Sequence, residues 1–321
     1  MTKVMPHVFD LPKPVIFTHG DADGLCAAAI LMRSFEEKKI DYEVVITQPF
    51  SLQNDIVRYD VTDNFIIMDL AISNRVKNLL MPGTIVIDHH PSTAEFRREL
   101  EDRGVFVKVD LRKSASQLVY DEVRGGKFNR YLSRLGAAGD WVINNQSLGK
   151  QAGVLASSMA WIPDDDWMRF YILASLVEGK KVWDMSEALR RSGLAYKKLD
   201  SIRREGNHIT LYEDKSFIVR YYEEGFGFAS ALANRLYKEK KRIAFVVCLV
   251  DVRAPELLVT GRVPDNVDFD LRRVFKSFRQ WGGYGGGHRK AASGILPKEC
   301  IIDFCVSLQK MGQSKTFRGK D

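Results

Sequence analysis

Short apolar runs alternate with polar, small-residue segments through the first third of the chain. Val15 to Thr18 is an apolar run that ends at a polar loop. Leu25 to Lys38 follows, with a small-residue face and a charged end, and predicts a helix. Tyr42 to Thr47 alternates as a strand does. Phe65 to Met68 and Thr84 to Ile87 are short runs rich in β-branched residues, as expected of parallel strands buried on both faces. Ser73 to Leu80 lies between them and predicts a crossover helix, and Val105 to Val109 a further strand. This alternation argues for a doubly wound, mostly parallel α/β sheet.

After Ser114 the pattern is mostly helical to about His208, and Ser186 to Asn207 is charged and poor in turn residues. The C-terminal part restarts with a strand at Phe217 to Tyr222, a helix at Phe228 to Lys238, and strands at Ile243 to Val250 and Leu257 to Thr260. A glycine-rich loop at Gly282 to Gly287 and a last helix from Lys298 to Lys310 complete it, with a polar tail after Met311. A length of 321 residues favours two domains. We expect a catalytic α/β domain over 1–185, a connecting helix over 186–208 and a smaller α/β substrate-binding domain over 209–321.

Charge sharpens that division. The net charge is +7, yet residues 1–208 hold 28 Lys/Arg against 28 Asp/Glu, and residues 209–321 hold 20 against 13. The excess sits in the C-terminal third, as expected of an anion-binding half. Solvated surface lysines would give the same count. No apolar run reaches membrane-spanning length, and Met1 to Pro14 lacks the pattern of a signal peptide. Cys26, Cys248, Cys300 and Cys305 are widely spread and predict buried thiols in a reducing, cytoplasmic setting.

Four short blocks carry candidate chemistry. His19-Gly20-Asp21-Ala22-Asp23-Gly24 follows the first strand, Asp69 ends the second buried run, Asp88-His89-His90 ends the third, and Gly139-Asp140-Trp141 ends a helical stretch. In an open parallel sheet the crevice lies at the carboxyl ends of the strands, so three blocks can converge there. Taken singly, each has a structural explanation: Asp21 and Asp23 as helix caps, Asp69 and Asp88-His89-His90 as strand-end turns. Together they concentrate carboxylates that would repel one another unless something positive joined them. Carboxylate with imidazole and no thiolate suits manganese or a related divalent ion, zinc included. A pair of cations about 3.5–4 Å apart needs a shared carboxylate and several terminal ligands; five aspartates and three histidines suffice.

The second signal is Gly282-Gly283-Tyr284-Gly285-Gly286-Gly287-His288, followed by Arg289 and Lys290. Such glycines let the backbone approach a ligand and present amides to an anion, or they form a hinge. Arg262 is placed to clamp a phosphate or to lie on the surface. Trp281 and Tyr284 flank the glycines and could stack on bases or pack inward.

His-x-Asp-x-Asp-Gly, an isolated Asp, Asp-His-His, a later Asp and Gly-Gly-Gly-His, in that order, resemble the DHH phosphoesterase superfamily with a DHHA1 domain, over residues 15 to about 308. That group includes RecJ-type exonucleases, nanoRNases and archaeal RecJ-like nucleases. The resemblance implies one metal on His19, Asp21 and Asp69 and another on Asp23, Asp69, His89 and Asp140. Asp88 would orient the site and His90 would face the scissile phosphate. Arg262 and Gly285, Gly286, Gly287 and His288 would hold the adjoining phosphate, with Tyr284 beside them, and Ser114 and Ser116 would face substrate. The expected Ser-x-Arg-Ser reads Thr260-Gly261-Arg262-Val263 here, which puts a contact from a following serine in doubt. The implied activity is exonuclease or oligonucleotidase action on single-stranded DNA or RNA with two Mn²⁺ or Mg²⁺ ions. The alternatives are hydrolysis of a nucleoside bisphosphate or a cyclic or linear dinucleotide, and a non-catalytic replication scaffold. A second copy of the chain and a DNA repair or replication protein such as a helicase are the implied protein partners.

Overall fold

The computed structural model describes residues 7–59, 64–163, 165–204, 208–251 and 254–313. The tail expected after Met311 lies outside them from residue 314 onward, and so does the beginning of Met1 to Pro14. The chain divides into two compact units, Met1–Ala195 and Tyr196–Asp321.

The first unit opens with β1 (Val15–His19), α1 (Ala22–Lys38), β2 (Glu43–Thr47), α2 (Leu52–Arg58), β3 (Phe65–Met68), α3 (Asn74–Lys77), β4 (Ile85–Asp88), α4 (Pro91–Asp102) and β5 (Phe106–Val109). The five strands form one sheet, ordered β2-β1-β3-β4-β5 and parallel throughout. The apolar runs look continuous because both faces are covered. Ile16, Ile66, Met68, Ile85 and Ile87 join α1 in one core, while Phe17, Phe65, Ile67, Val86 and Val107 join Leu52, Ile56 and Val76 in another. The period of two is present but hidden.

A helical part follows: α5 (Ala115–Val123), α6 (Lys127–Gly139), α7 (Gln146–Ala160) and α8 (Asp166–Val177). Then α9 (Ser186–Arg204) carries the chain across the division between the units. Residues 73–80, expected as a crossover helix, contain only the single turn of α3, capped by the Ser73 side chain, which accepts from the Val76 N–H at 3.3 Å. Ile72, Val76 and Leu80 are all buried in the sheet core, so one turn already brings the chain back.

The second unit holds β6 (His208–Glu213), β7 (Phe217–Tyr222), α10 (Ala229–Lys240), β8 (Ile243–Asp251), β9 (Ala254–Arg262), α11 (Leu271–Ser277), β10 (Tyr284–Gly287), β11 (Ala291–Pro297) and α12 (Ile301–Gln313). Its sheet is ordered β10-β11-β9-β8-β7-β6, with β7 and β8 parallel and the other pairs antiparallel. Phe217, Phe245, Phe275, Phe278 and Phe304 form the centre of its core. The expected glycine loop is corrected here. Tyr284–Gly287 is an edge strand, pairing Gly285 with Gly294 and Gly286 with Ser293. A Cβ on Gly285 would stand 2.9 Å from the Gly294 Cα and 2.9 Å from the Phe275 ring. Glycine therefore lets this strand lie flat over Phe275. A second correction concerns the thiols. Cys26 and Cys248 are buried, but Cys300 and Cys305 are only half-buried, on a helical segment whose Ile302 and Val306 face solvent.

Candidate metal centre

Parallel pairing sets the site. Thr18 is level with Met68, and Met68 with Ile87. The next residue of each strand or its exit is therefore His19, Asp69 or Asp88, side by side at the carboxyl edge of the sheet. Asp69 has φ +56° and its N–H donates to the Ile87 carbonyl at 3.1 Å. Left-handed backbone costs an L-residue roughly 1–2 kcal/mol, and aspartate tolerates it better than most. The turn places the Asp69 carboxylate at the centre of the cluster.

The capping and chemical readings of the first block are both realised in one side chain. Asp21 is the N-cap of α1: its Oδ1 accepts from the Asp23 and Gly24 N–H groups, each at 3.0 Å. Its Oδ2 lies 3.1 Å from His19 Nδ1. Asp23, fully buried in the first helical turn, accepts from the N–H groups of Ala115 at 2.6 Å and Ser116 at 3.2 Å. The face of α6 that approaches it must be bare. A Cβ on Gly136 would sit 2.3 Å from Asp23 Oδ1 and 2.4 Å from Ser116 Oγ. Asp140, the C-cap of the same helix, reaches His89 Nε2 with Oδ2 at 3.0 Å, and Asp69 Oδ1 is 3.2 Å from that nitrogen.

Asp88 is buried behind this group. Its Oδ1 is 2.7 Å from His90 Nδ1, and its Oδ2 accepts from Thr93 Oγ1 at 2.5 Å. Thr93 Oγ1 in turn accepts from the Ile72 N–H at 3.0 Å. Thus Asp88 orients His90 while a threonine anchored to the backbone orients Asp88.

Among the described residues, three sets of side chains converge closely enough to grip a cation: His19, Asp21 and Asp69; Asp23, Asp69, His89 and Asp140; and Asp69, Asp88, His89 and His90. Asp69 belongs to all three. Its Oδ2 is buried and, among the described residues, accepts no hydrogen bond; His19 Nδ1 lies 3.6 Å away. A buried carboxylate oxygen left without a donor is costly, and a cation would relieve it.

The electrostatics agree. Burial, then the charges of Asp69 and Asp140, push the Asp23 carboxyl well above its ordinary range. Burial and Asp21 push Asp69 up as well. Burial alone would depress the three imidazoles, but the carboxylates overcome it. Asp21 and Asp69 hold His19 well above the usual value, Asp140, Asp69 and Asp23 push His89 up to about 12, and Asp88 raises His90. Burial would raise Asp21 and Asp88, yet His19 and His90 respectively hold them below the ordinary carboxylate range. Without a metal, protons supply the positive charge that these carboxylates require. The donor set, oxygen and imidazole nitrogen, fits a divalent cation.

Ser114 and Ser116, expected to face substrate, are fully buried, which corrects that reading. Ser114 caps α5, the two hydroxyls are 3.0 Å apart, and Ser116 Oγ donates to the Ser133 carbonyl at 3.0 Å. The segment contributes through the backbone N–H groups that hold Asp23. Two further residues belong to the site. Gln48, just after β2, puts Oε1 3.0 Å from His19 Nε2, and Thr93 supports Asp88. Gln48 lies one residue beyond Thr47, which is level with His19 in the sheet, and a lone glutamine is not a distinctive sequence signal.

The residues singled out in the second unit lie on and beside its glycine edge. Gly285, Gly286 and His288 are exposed, Tyr284 is 41% exposed, and Gly287 is half-buried with φ +130°. A side chain at Gly286 would meet nothing within 4 Å, so open space adjoins its backbone. Arg262 is half-buried at the end of β9. Its Nε donates to Asn234 Oδ1 at 2.9 Å and its Nη1 to the Gly261 carbonyl at 2.8 Å, and burial pulls its pKa down to about 10. Arg289 pairs with Asp268, and Lys290 donates to the Pro264 and Val267 carbonyls, so both cations are engaged within the fold. Trp281 packs against Phe278, their ring centroids 6.2 Å apart.

Comparison with known proteins converges on the same class. Residues 13–139 match the DHH family, N-terminal domain. No curated protein sequence matches the chain. Among solved structures, RecJ from Thermus thermophilus in complex with Mn²⁺ is similar with a TM-score of 0.62 and 16% identity, over 93% of this chain and 52% of that one. The chain thus spans about half the length of that RecJ. CDC45 from Entamoeba histolytica is similar with a TM-score of 0.63 and 8% identity, over 94% of this chain and 96% of that one. PggH from Vibrio cholerae, a pGpG-specific phosphodiesterase, is similar with a TM-score of 0.54 and 14% identity, over 93% and 98%. A parallel sheet ending in a carboxylate–imidazole cluster, followed by a mixed-sheet unit, is the architecture found here. The first part of the chain, residues 13–139, thus matches the DHH family's N-terminal domain, and the fold of the whole is shared with these structures.

Proposed function

We propose that the chain is a phosphodiesterase that removes nucleotides from an end of single-stranded DNA or RNA, or degrades short oligonucleotides, with two divalent cations, manganese foremost. The observation that carries this is the shared position of Asp69 between two candidate ligand sets, His19–Asp21–Asp69 and Asp23–Asp69–His89–Asp140. Those sets would hold the two ions. Bound there, the ions would supply an acidified water and neutralise charge developing on the phosphate oxygens.

The chain's own residues do the rest. Asp88 accepts from His90 Nδ1 and favours the doubly protonated ring, so His90 can donate through Nε2 to a phosphate oxygen or to the leaving oxygen. Gln48 fixes the His19 ring through Nε2, which leaves Nδ1, facing Asp21 and Asp69, for a cation. In the second unit, the exposed backbone of Gly285 and Gly286, with His288 and the Arg262 guanidinium, would receive a phosphate of the substrate, with the Tyr284 ring beside it. The Lys/Arg excess of residues 209–321 supports backbone contacts that weaken with salt.

PggH favours a second reading, because it is similar over 98% of its own length: hydrolysis of a linear dinucleotide. End-labelled single strands of DNA and RNA, from two to about twenty nucleotides, incubated with Mn²⁺ or with EDTA, test both. Stepwise shortening in Mn²⁺ alone is the expected result. Cleavage confined to dinucleotides selects the second reading, and no metal-dependent cleavage at any length overturns both.

A further inference from the structure

The residue after Asp140 is used by neither the fold nor the chemistry described above. α6 ends in a Schellman-type turn: the Trp141 N–H donates to the Ala138 carbonyl at 3.4 Å and the Val142 N–H to the Ala137 carbonyl at 2.9 Å. Such a turn puts its exit residue in the left-handed region, where glycine is favoured because it has no Cβ. Here that residue is a tryptophan with φ +60°. Its side chain does not repay the strain by packing, since Trp141 is 86% exposed. Among the described residues the indole has no ring, cation or hydrogen-bond partner. Trp167, by contrast, is stacked on Tyr171 at 5.3 Å and covered by the Arg191 guanidinium.

The same turn faces two ways. Asp140 points inward to His89, and the next residue in the chain places a bare indole in solvent. A large exposed aromatic on strained backbone, one residue from a candidate metal ligand, has no structural purpose in this unit. We infer that Trp141 is a stacking platform for a nucleobase next to the phosphate being cut. This rests on the nucleic-acid reading above. Base contact then falls in the first unit, on the same turn as Asp140. Stacking is indifferent to base identity because every base offers a π-face, so the inference fits a substrate class rather than a particular nucleotide.

The test uses the full chain with Mn²⁺ and two oligonucleotide series, one fully base-bearing and one with a single abasic nucleotide moved stepwise from the cleaved end. Trp141→Ala should raise KM on base-bearing strands about 5- to 150-fold, the range of one base–aromatic contact, with kcat changed much less. Trp141→Phe should keep most of the affinity. At one abasic position, wild type and Trp141→Ala should converge. Trp141→Gly should lose affinity as the alanine variant does, yet melt at or above the wild-type temperature, since glycine suits the turn; a tryptophan needed for packing would melt lower. Equal KM values for wild type and Trp141→Ala on base-bearing strands overturn the inference while leaving the nuclease reading intact. If wild type cleaves neither oligonucleotides nor dinucleotides in Mn²⁺, the nucleic-acid reading itself fails and the platform with it.

Discussion

The carboxylate cluster of the first unit and the glycine edge of the second are opposite in construction. In the cluster, Asp23, Asp69, Asp88 and His89 are buried, and many of their donor and acceptor atoms already have partners in the protein. At the edge, the important groups are backbone atoms of Gly285 and Gly286, which are exposed, with open space beside Gly286. The first arrangement stores electrostatic demand: more carboxylate than the interior tolerates without compensating charge. The second stores accessibility. Chemistry that must stabilise a developing charge profits from groups fixed beforehand, whereas holding a strand of variable sequence profits from main-chain contacts.

If that contrast is right, the largest loss comes from the centre of the cluster. Asp69→Ala should lower kcat by about 10³-fold or more, since both proposed ions lose a ligand. The metal-free variant should fold, because one buried carboxylate is removed from a set that repels itself; circular dichroism and steady-state kinetics check both halves. Wild-type turnover in the purified variant would remove the basis for the two-metal assignment. Next comes a residue that touches neither metal nor substrate. Thr93→Val keeps the shape but deletes the hydroxyl that donates to Asp88, and supporting groups of this kind are worth about 10- to 100-fold in activity. The loss should appear in kcat and in the pH profile. His288→Ala, on the exposed edge, should do the opposite: KM rises about tenfold, the loss of one charge-assisted contact of about 1.4 kcal/mol, with kcat little altered. A kcat-dominated loss there would erase the contrast between the two regions.

How much of this can be read in the chain differs by region for physical reasons. The parallel α/β class agrees with the structure, and the DHH part of the resemblance agrees with the family match over residues 13–139. Phe65–Met68 and Phe217–Tyr222 are legible to the residue because buried strands must be apolar. β6 is not, since four of its six residues are exposed and leave no hydrophobic period. The Ser114–Ser116 segment misleads because what matters there is two backbone N–H groups meeting Asp23, more than ninety positions away, and backbone donors have no sequence signature. The glycine run reads as a loop because the reason for the glycines is Phe275, on a different element. Capping and ligation look like alternatives for Asp21 only because a sequence does not show that two oxygens of one carboxylate can do different work.

The smallest effect is the most discriminating, because it reads the stored charge directly. In the metal-free protein His89 is raised to about 12, His19 and His90 are raised, and Asp23 and Asp69 are raised. A group whose folded pKa exceeds its unfolded value gives stability that is complete below the unfolded pKa and is lost as pH climbs toward the folded one. For the histidines that loss begins near pH 6.5, and for the two aspartates near pH 4. Asp21 and Asp88, held low, act in the opposite sense, but their window lies below the ordinary carboxylate range and is closed above about pH 6. Between about pH 6 and pH 8, then, the metal-free cluster loses stability, because the unfolded histidines give up their protons while the folded cluster must keep its own. A cation takes the place of those protons, so binding should release them and tighten over the same interval. At a free concentration about a hundredfold above Kd, binding adds about 2.7 kcal/mol, which for a unit of this size moves the melting temperature by roughly 5–10 °C. The Mn²⁺-induced shift should therefore be larger at about pH 8 than at about pH 6, and it should vanish in Asp69→Ala. In His288→Ala it should persist unchanged, because that residue lies in the other unit. A shift that is independent of pH, or one that survives in Asp69→Ala, would mean that the cation binds somewhere other than among these carboxylates.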